Sequence, residues 1–284
     1  MLTVQAPAKV NLVLEVLGKR HEYHDISSIA QTIALHDTLT FKSSPDIVFT
    51  CSEASLQDDN LVIRAARLLR ERCAVARGAH IHLDKRIPWA AGLGGGSSDA
   101  AATLCALNRM WETGLSLQQL TALGSELGSD VPLFLLGGTI LLEGRGERVS
   151  RLPLINTRHL VLLVPTLAPP AGKTGLMYRS LHPEMFTRGQ FVRAAAFSLD
   201  RNGSIPEDLI FNVFEKVAFT VFPGLADERT VLEDITGRRA HLAGSGPCLY
   251  VFLPSEKAAQ RTATRLEASG RHAYAVRTCD AVSC

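Results

Sequence analysis

The stretch that decides the fold is a glycine-rich segment in the first half of the chain, PWAAGLGGGSSDAA at residues 88–101. It follows residues 79–84, whose alternating apolar side chains predict a strand, and it leads into 97–111, whose apolar side chains share one helical face. Glycines let a backbone approach a ligand closely, and the free N–H groups at a helix start attract anions. The segment therefore predicts a phosphate site formed by Gly92, Gly94, Gly95, Gly96, Ser97 and Ser98.

This segment differs from the two common phosphate-binding motifs. No lysine follows the glycines as a Walker A motif requires, and the third glycine position of a GxGxxG motif holds Ser97. The simpler alternative is a flexible turn capped by Ser97. Because four of the five residues at 92–96 are glycine, which exceeds what a helix cap needs, we favour the phosphate site.

Outside this segment, strand patterns and helix patterns alternate along the chain. Asn60, with the two aspartates before it, predicts one helix N-cap, and Ser116 predicts another. The composition changes near residue 155, and a Pro/Gly-rich loop follows at 165–175. The pattern predicts an α+β fold with mainly antiparallel strands. The predicted strands are 10–17, 29–41, 46–50, 79–84, 138–142, 147–152, 159–164, 248–253 and 272–277, and the predicted helices are 61–73, 97–111, 116–127, 187–198, 207–219, 224–235 and 255–269.

Length and composition indicate a globular protein of about two domains, at ~150 residues each. Hydrophobic residues make up 46% and charged residues 20% of the 284 residues, and the net charge of +2 indicates neither a nucleic-acid partner nor a membrane surface. The six cysteines form no CxxC pair, so we expect reduced thiols. The first residues lack the pattern of a signal peptide, and the longest apolar run, 131–142, is too short to span a bilayer. We therefore expect a cytoplasmic protein.

Three segments together resemble the GHMP kinases, a family of ATP-dependent small-molecule kinases. Residues 88–101 resemble the family's phosphate loop, residues 6–12 (APAKVNL) its first motif, and residues 242–250 (LAGSGPCLY) its third. They occur in the family's order across almost the whole chain. The resemblance implies a two-domain fold with the active site in the cleft between the domains. The N-terminal domain, 1–155, would be ribosomal S5 domain 2-like, and the C-terminal domain, 156–284, would be ferredoxin-like.

Further segments resemble one branch of this family, which acts on a cytidine diphosphate conjugate in the non-mevalonate isoprenoid precursor pathway. They are PAKVNL at 7–12 followed by Tyr23 and His24, DNL at 59–61, and GSDVP at 128–132. The resemblance implies phosphorylation of the 2-hydroxyl of the substrate's methylerythritol unit. The chain departs from the branch before Tyr23, where His21 and Glu22 stand in a shorter segment without the usual glycine.

The resemblance implies that Asp130 is the catalytic base and that Lys9 lies beside it. A positioned carboxylate can accept or orient the proton of an attacking hydroxyl, and a neighbouring cation keeps it ionised. Both residues also have simpler interpretations. Asp130, followed by Val131 and Pro132, would suit a helix N-cap, and Lys9 could be an exposed lysine at a strand start.

The same resemblance implies binding roles for the other candidates. Tyr23 and His24 would hold the cytosine, with Tyr178 stacked on its other side, although an ordinary loop and core packing are the alternatives for these rings. Asn11 shares a strand face with Lys9 and would bind the substrate. Further implied contacts are those of Thr174 and Asn212 with the substrate, and of Asn60, Leu61 and Lys85 with adenine and ribose, while Gly244, Ser245 and Gly246 would shape the site.

The implied ligands are ATP, a small-molecule substrate and Mg²⁺, with the metal held by phosphates because the sequence predicts no protein metal site. We expect a monomer or weak homodimer that binds neither nucleic acid nor membrane. Two alternatives remain open: a GHMP kinase for homoserine, mevalonate or a sugar, and a non-catalytic RNA-binding protein of related fold. The near-neutral charge and the intact glycine segment argue against the second.

Overall fold

The computed structural model describes residues 1–21, 23–57, 60–168 and 170–280. The sequence features at Glu22, Asp58, Asp59 and Cys284 lie outside the described residues. The strands are β1 (Leu2–Arg20), β2 (Tyr23–Ser44), β3 (Val48–Cys51), β4 (Gly78–Asp84), β5 (Thr139–Gly144), β6 (Arg148–Arg151), β7 (His159–Val164), β8 (Phe211–Asn212), β9 (His241–Leu242), β10 (Leu249–Leu253) and β11 (His272–Arg277). The α-helices are α1 (Leu61–Arg72), α2 (Gly95–Trp111), α3 (Leu117–Leu127), α4 (Val131–Leu136), α5 (Lys173–Arg179), α6 (Gln190–Asn202), α7 (Glu215–Val221), α8 (Leu225–Thr236) and α9 (Glu256–Ala268).

A seven-stranded sheet is built around the long β1–β2 hairpin. The first half of β2 pairs with β5 and its second half pairs with β4, so one strand spans two parts of the sheet. Helices α1 to α4 pack against this sheet, and the apolar face of α2 predicted from the sequence is buried there. Those buried residues are Ala100, Leu104, Leu107 and Trp111. The centre of β1, which carries Lys9 and Asn11, is therefore held firmly beneath the start of α2.

A second sheet contains four strands in the order β11-β7-β10-β9, and all of its strand pairs are antiparallel. With α5 to α8 between β7 and β9, and α9 between β10 and β11, this is the strand order and connectivity of a ferredoxin-like unit. The α+β class and the mainly antiparallel strands are confirmed, since only β1–β8 and β3–β4 pair in parallel among the described residues.

The predicted helix at 207–219 is wrong in its first half. Residues 207–209 form a single 3₁₀ turn, Phe211 and Asn212 pair with β1, and α7 begins only at Glu215. The side-chain oxygen of Asn212 accepts a hydrogen bond from the Phe214 N–H at 3.0 Å, and this local contact lies between β8 and the start of α7. Pairing with a distant strand has overridden the helical pattern, which local sequence does not reveal.

The start of α2 differs from the prediction, whereas the turn before Tyr23 lacks a glycine as the sequence indicates. Helix α2 begins at Gly95 rather than residue 97, because Gly94 adopts a left-handed conformation as its N-cap. The turn that joins β1 to β2 lacks a glycine, and His21 adopts φ +53° there. A two-residue hairpin turn requires positive φ, and histidine is among the few side chains that tolerate it.

The cysteine prediction is confirmed only in part. Cys51, Cys73, Cys248 and Cys279 are free, whereas Cys105 is disulfide-bonded, so the expectation of six reduced thiols is wrong. Across the described ranges, no helix combines the length and apolar character needed to cross a membrane.

Candidate active site

The glycine-rich segment is fixed between β1 and the turn that follows β9. The Lys9 N–H donates to the Leu93 carbonyl at 3.0 Å, and the Cys248 N–H donates to the Ala91 carbonyl at 3.2 Å. Gly92 has φ +87°, and a Cβ there would lie 2.1 Å from the Ala243 carbonyl oxygen. Gly94 has φ +74°, and a Cβ would lie 2.7 Å from the ring of Phe134. Only glycine fits at either position, so the close packing of this segment against its neighbours requires its glycines.

Two buried oxygen atoms at the start of α2 have no hydrogen-bond partner in the described structure. They are Ser98 Oγ and Asp99 Oδ1, and both residues are about 1% exposed. Oxygen atoms of this kind are the ligands that Mg²⁺ prefers, so this helix start fits a phosphate-bound Mg²⁺. Within the described ranges, no three His, Cys, Asp or Glu side chains gather as a potential metal site.

The predicted nucleotide residues line a cavity of about 350 Å³ beside this helix start. Asn60 caps α1, where its side-chain oxygen accepts from the Val62 N–H at 2.9 Å. Lys85 forms ion pairs with Asp37 and with Asp99, the latter at 3.1 Å. Burial acts to lower the pKa of Lys85, but the two carboxylates outweigh it and raise that pKa. Asn60, Leu61, Lys85 and the glycine segment are thus brought together on one wall.

The predicted catalytic pair lines a second cavity, of about 300 Å³. Lys9 is buried, with Nζ 3.9 Å from the Asp130 carboxylate, whose side chain is 43% exposed. Asp130 stands at the N-cap position of α4 but makes no side-chain cap hydrogen bond. Its carboxylate therefore lines the cavity and does not cap the helix. The alternative of an exposed Lys9 is wrong.

Asn11 orients Lys9. Its side-chain oxygen accepts from Lys9 Nζ at 2.7 Å, and its amide nitrogen donates to Ser28 Oγ at 2.9 Å. Ser28 in turn donates to the Val13 carbonyl at 2.6 Å. Burial lowers the pKa of Lys9, and the Asp130 carboxylate partly opposes this change. The chain of hydrogen bonds fixes the ammonium group at the cavity wall.

The predicted cytosine residues lie beside this cavity: Tyr178 lines it, and Tyr23 and His24 line adjoining spaces that share Arg145 with it. The rings of His24 and Tyr178 stack with centroids 4.9 Å apart, which leaves no room for a base between them. Tyr178 also packs edge-on against Phe214, so its core-packing role is real. Tyr23 is 56% exposed and carries the Arg145 guanidinium 4.4 Å above its ring. The site therefore offers aromatic faces, but a base must bind outside the His24–Tyr178 contact.

The remaining candidates divide into two groups. Thr174 lies 3.2 Å from Ser245, oxygen to oxygen, and both line the cavity with Gly244. Asn212 is buried, and its amide donates to the carbonyls of Leu242 and Gly244 at 2.9 and 2.8 Å. It is not among the cavity-lining residues. Asn212 thus holds the loop of residues 244–246 in place, and its implied contact with the substrate stays a prediction.

Three residues that line the cavities of the candidate site were not predicted from the sequence. Trp89 lines the nucleotide cavity and is 61% exposed, and Arg145 borders both the catalytic cavity and the space around Tyr23 and His24. Lys173 also lines the catalytic cavity. The available signals were weak: a tryptophan within the glycine-rich segment, an arginine between two glycines, and a lysine beside Thr174 near the end of the Pro/Gly-rich loop.

Gly92 and Gly94 line both cavities, so the nucleotide side and the catalytic side meet at the phosphate segment. The start of α2, whose free N–H groups can hold an anion, is thus next to a cavity with a carboxylate and a buried ammonium group. This arrangement suits transfer of a phosphoryl group to a hydroxyl oriented by Asp130.

Comparison with known proteins agrees with this geometry. Residues 60–138 match the model of the GHMP kinases N terminal domain. The chain is 43% identical over 280 residues to the 4-diphosphocytidyl-2-C-methyl-D-erythritol kinase of Dehalococcoides mccartyi (strain BAV1), covering 98% of both chains. It is 39% identical over 285 residues to the enzyme of the same name from Pelotomaculum thermopropionicum, again covering 98% of both.

Solved structures give the same result. A crystal structure of 4-(cytidine 5'-diphospho)-2C-methyl-D-erythritol kinase matches with a TM-score of 0.83 at 34% identity, over 98% of this chain and 99% of that one. A homoserine kinase from Cytophaga hutchinsonii matches with a TM-score of 0.76 at 18% identity, over 98% of this chain and 94% of that one, and shows the fold alone. The predicted two-domain GHMP kinase fold is confirmed.

Proposed function

The chain belongs to the GHMP kinases, among the 4-diphosphocytidyl-2-C-methyl-D-erythritol kinases, and from that membership we propose the reaction of its cleft. This small-molecule kinase transfers the γ-phosphoryl group of ATP to the 2-hydroxyl of the methylerythritol unit of that substrate, a step of isoprenoid precursor synthesis. One observation carries the proposal: the Lys9–Asp130 pair shares a cavity with Gly92 and Gly94, which also border the nucleotide cavity.

In the proposed mechanism, Asp130 accepts the proton of the substrate hydroxyl as the new P–O bond forms. Lys9 is held by Asn11 and stabilises the negative charge that develops on the attacking oxygen. The free N–H groups of residues 95–97 hold the phosphates of ATP at the start of α2, since the Ser98 N–H already donates to the Gly94 carbonyl at 3.0 Å. Mg²⁺, when bound, neutralises phosphate charge, and the unpartnered oxygens of Ser98 and Asp99 fit such an ion.

Aromatic side chains mark the two base-binding ends of the proposed complex. The cytosine stacks on Tyr23 or on the outer face of the His24–Tyr178 pair, because the contact between those two rings is closed. At the other end Trp89 covers the adenine. Tyr23 and Phe197 each lie under an arginine, whereas no described ring or cation stacks on Trp89. A base there would bury the exposed indole.

The proposal keeps four further expectations. We propose a domain boundary at residue 155, a cytoplasmic location, a monomer or weak homodimer, and no nucleic-acid or membrane partner. The division of the strands between two sheets supports the boundary, although β8 from the second part pairs with β1 from the first.

A parallel kinase assay tests the function. The purified chain is supplied with ATP, Mg²⁺ and one of three alcohols: the cytidine diphosphate conjugate, mevalonate or homoserine. We expect ADP release only with the first, and a phosphorylated product of matching mass. Turnover of mevalonate or homoserine alone would contradict the proposal. No turnover of any alcohol, together with retention on an RNA column, would favour the RNA-binding alternative.

A further inference from the structure

Lys173 joins the two glycine loops of the cleft. It is the first residue of α5, and its Nζ donates hydrogen bonds to the carbonyls of Ala90, at 2.7 Å, and of Gly246. Ala90 lies in the glycine-rich segment 88–101, two residues before Gly92, and Gly246 belongs to the third motif, 242–250. The side chain therefore reaches from the part of the chain after β7 to the point where both loops meet.

The position of Lys173 in the cleft matches the path of the transferred group. It lines the cavity that holds Lys9 and Asp130, together with Gly92 and Gly94. Those two glycines are the residues that this cavity shares with the nucleotide cavity, and Ala90, which accepts from Lys173, lines the nucleotide side. A phosphoryl group passing from ATP to a hydroxyl at Asp130 must cross this boundary.

The charge of Lys173 has no anionic partner in the described structure. The cavity carboxylate, Asp130, pairs with Lys9, and the partners of Lys173 are neutral carbonyls. Burial lowers the pKa of Lys173 to about 8, and the positive charge of Lys9 acts in the same direction. A cation in the first turn of a helix also faces the positive end of the helix dipole. Burial, the charge of Lys9 and the helix dipole thus all disfavour the charged form of Lys173. An anion that enters the cavity offsets each of these three unfavourable contributions.

We propose that Lys173 is a further catalytic residue, whose ammonium group contacts the phosphoryl group during its transfer and stabilises its negative charge. In this step the bond from the γ-phosphorus to the bridging oxygen of ATP breaks, and ADP keeps the electron pair. The bond from phosphorus to the substrate oxygen forms, and the hydroxyl proton goes to Asp130. Lys173 keeps its own proton throughout and contributes charge and hydrogen bonds. The inference rests on the proposed kinase function.

Lys173→Gln is the decisive variant because it removes the charge but keeps an N–H donor for the two carbonyls. We expect kcat to fall roughly 10²-fold, as when one preorganised donor to a developing charge is lost. The affinity for ADP should stay within threefold, while the affinity for a non-hydrolysable ATP analogue should fall at least fivefold more than that for ADP. Lys173→Arg keeps the charge and should retain a larger share of kcat than the glutamine variant.

Lys216→Met provides the matched control, since Lys216 also donates to a backbone carbonyl, that of Met185 at 3.1 Å, but lies exposed in α7. Its activity should equal that of the wild type. A kcat of Lys173→Gln within threefold of the wild type would overturn the proposal. So would an equal loss of ADP and analogue affinity, because that result indicates a purely structural link between the loops. The nucleotide titrations need no alcohol substrate, so they test Lys173 even if the proposed substrate is wrong.

Discussion

Replacing Asp130 by asparagine distinguishes two roles of this carboxylate, ion-pair partner of Lys9 and general base, because the two predict different decreases in kcat. Two unit charges 3.9 Å apart attract each other by about 1 kcal/mol in water and by about 4 kcal/mol at an effective dielectric constant of 20. Because the Asp130 side chain is 43% exposed, the lower figure applies, and loss of the ion pair alone predicts a fall in kcat of about fivefold. Loss of a general base predicts a fall of about 10² to 10⁴-fold. We expect the larger effect.

The assay is steady-state ADP release with saturating ATP and the cytidine diphosphate conjugate. Affinity for a non-hydrolysable ATP analogue should be unchanged or higher, because the variant removes an anion from the cleft. Since Asp130 makes no cap hydrogen bond, the free energy of unfolding of the variant should differ from that of the wild type by at most about 1 kcal/mol. Glu207→Gln, which alters a partly exposed carboxylate paired with Arg238 at 3.2 Å, is the matched control and should keep full activity. A fall below tenfold for Asp130→Asn would refute the role as base.

The double variant Lys9→Met with Asp130→Asn tests whether the two residues act together. If they form one unit, the double variant should lose little more activity than the worse of the single variants. Fully additive losses would show that the two side chains act on separate steps.

Three further outcomes are expected. Binding of an ATP analogue should change the tryptophan fluorescence of the wild type but not of Trp89→Phe, because Trp111 is buried and Trp89 is exposed; an unchanged wild-type signal would contradict the contact with adenine. Gly94→Ala should raise the KM for ATP and lower the unfolding free energy by about 1–3 kcal/mol, since φ is +74° there. Kinetics at varied ATP concentration and chemical denaturation measure these two quantities. Wild-type values for both would refute the close packing at Gly94. His241 is buried, and burial lowers its pKa to about 3, so folding disfavours its protonation. Stability should therefore fall as pH drops below about 6.5, by up to ~1.4 kcal/mol per pH unit from this group, and His241→Gln should flatten that slope in denaturation curves at pH 4 to 7.

Prediction from the sequence succeeded where a short segment sets its own structure. The apolar face of α2, the capping residues Asn60 and Ser116, and the ferredoxin-like order of the second sheet follow from local patterns and from the resemblance. It failed where a distant partner decides the conformation. Residues 207–214 have a helical pattern, but β1 draws Phe211 and Asn212 into strand pairing.

The candidate site shows the same division. Lys9, Asp130 and the glycine segment belong to recognisable motifs, so their presence in the site was predictable. Nothing in local sequence distinguishes Lys173 from any loop lysine, and its role depends on carbonyls 83 and 73 residues away along the chain. The closed contact between His24 and Tyr178 likewise depends on how β2 and α5 pack.

By itself, the sequence determined the chemistry that this protein can perform. Glycines at 92–96 permit a close-packed phosphate segment, and a carboxylate with a lysine can direct a hydroxyl toward phosphorus. The tertiary structure alone decided which charges share one cavity and which are neutralised. Burial beneath α2 makes Lys9 a desolvated cation with one carboxylate partner, and the meeting of two loops gives Lys173 carbonyls in place of an anion. The reason is that Coulomb interactions depend on distance and on exclusion of water, and neither can be read from the order of residues along the chain.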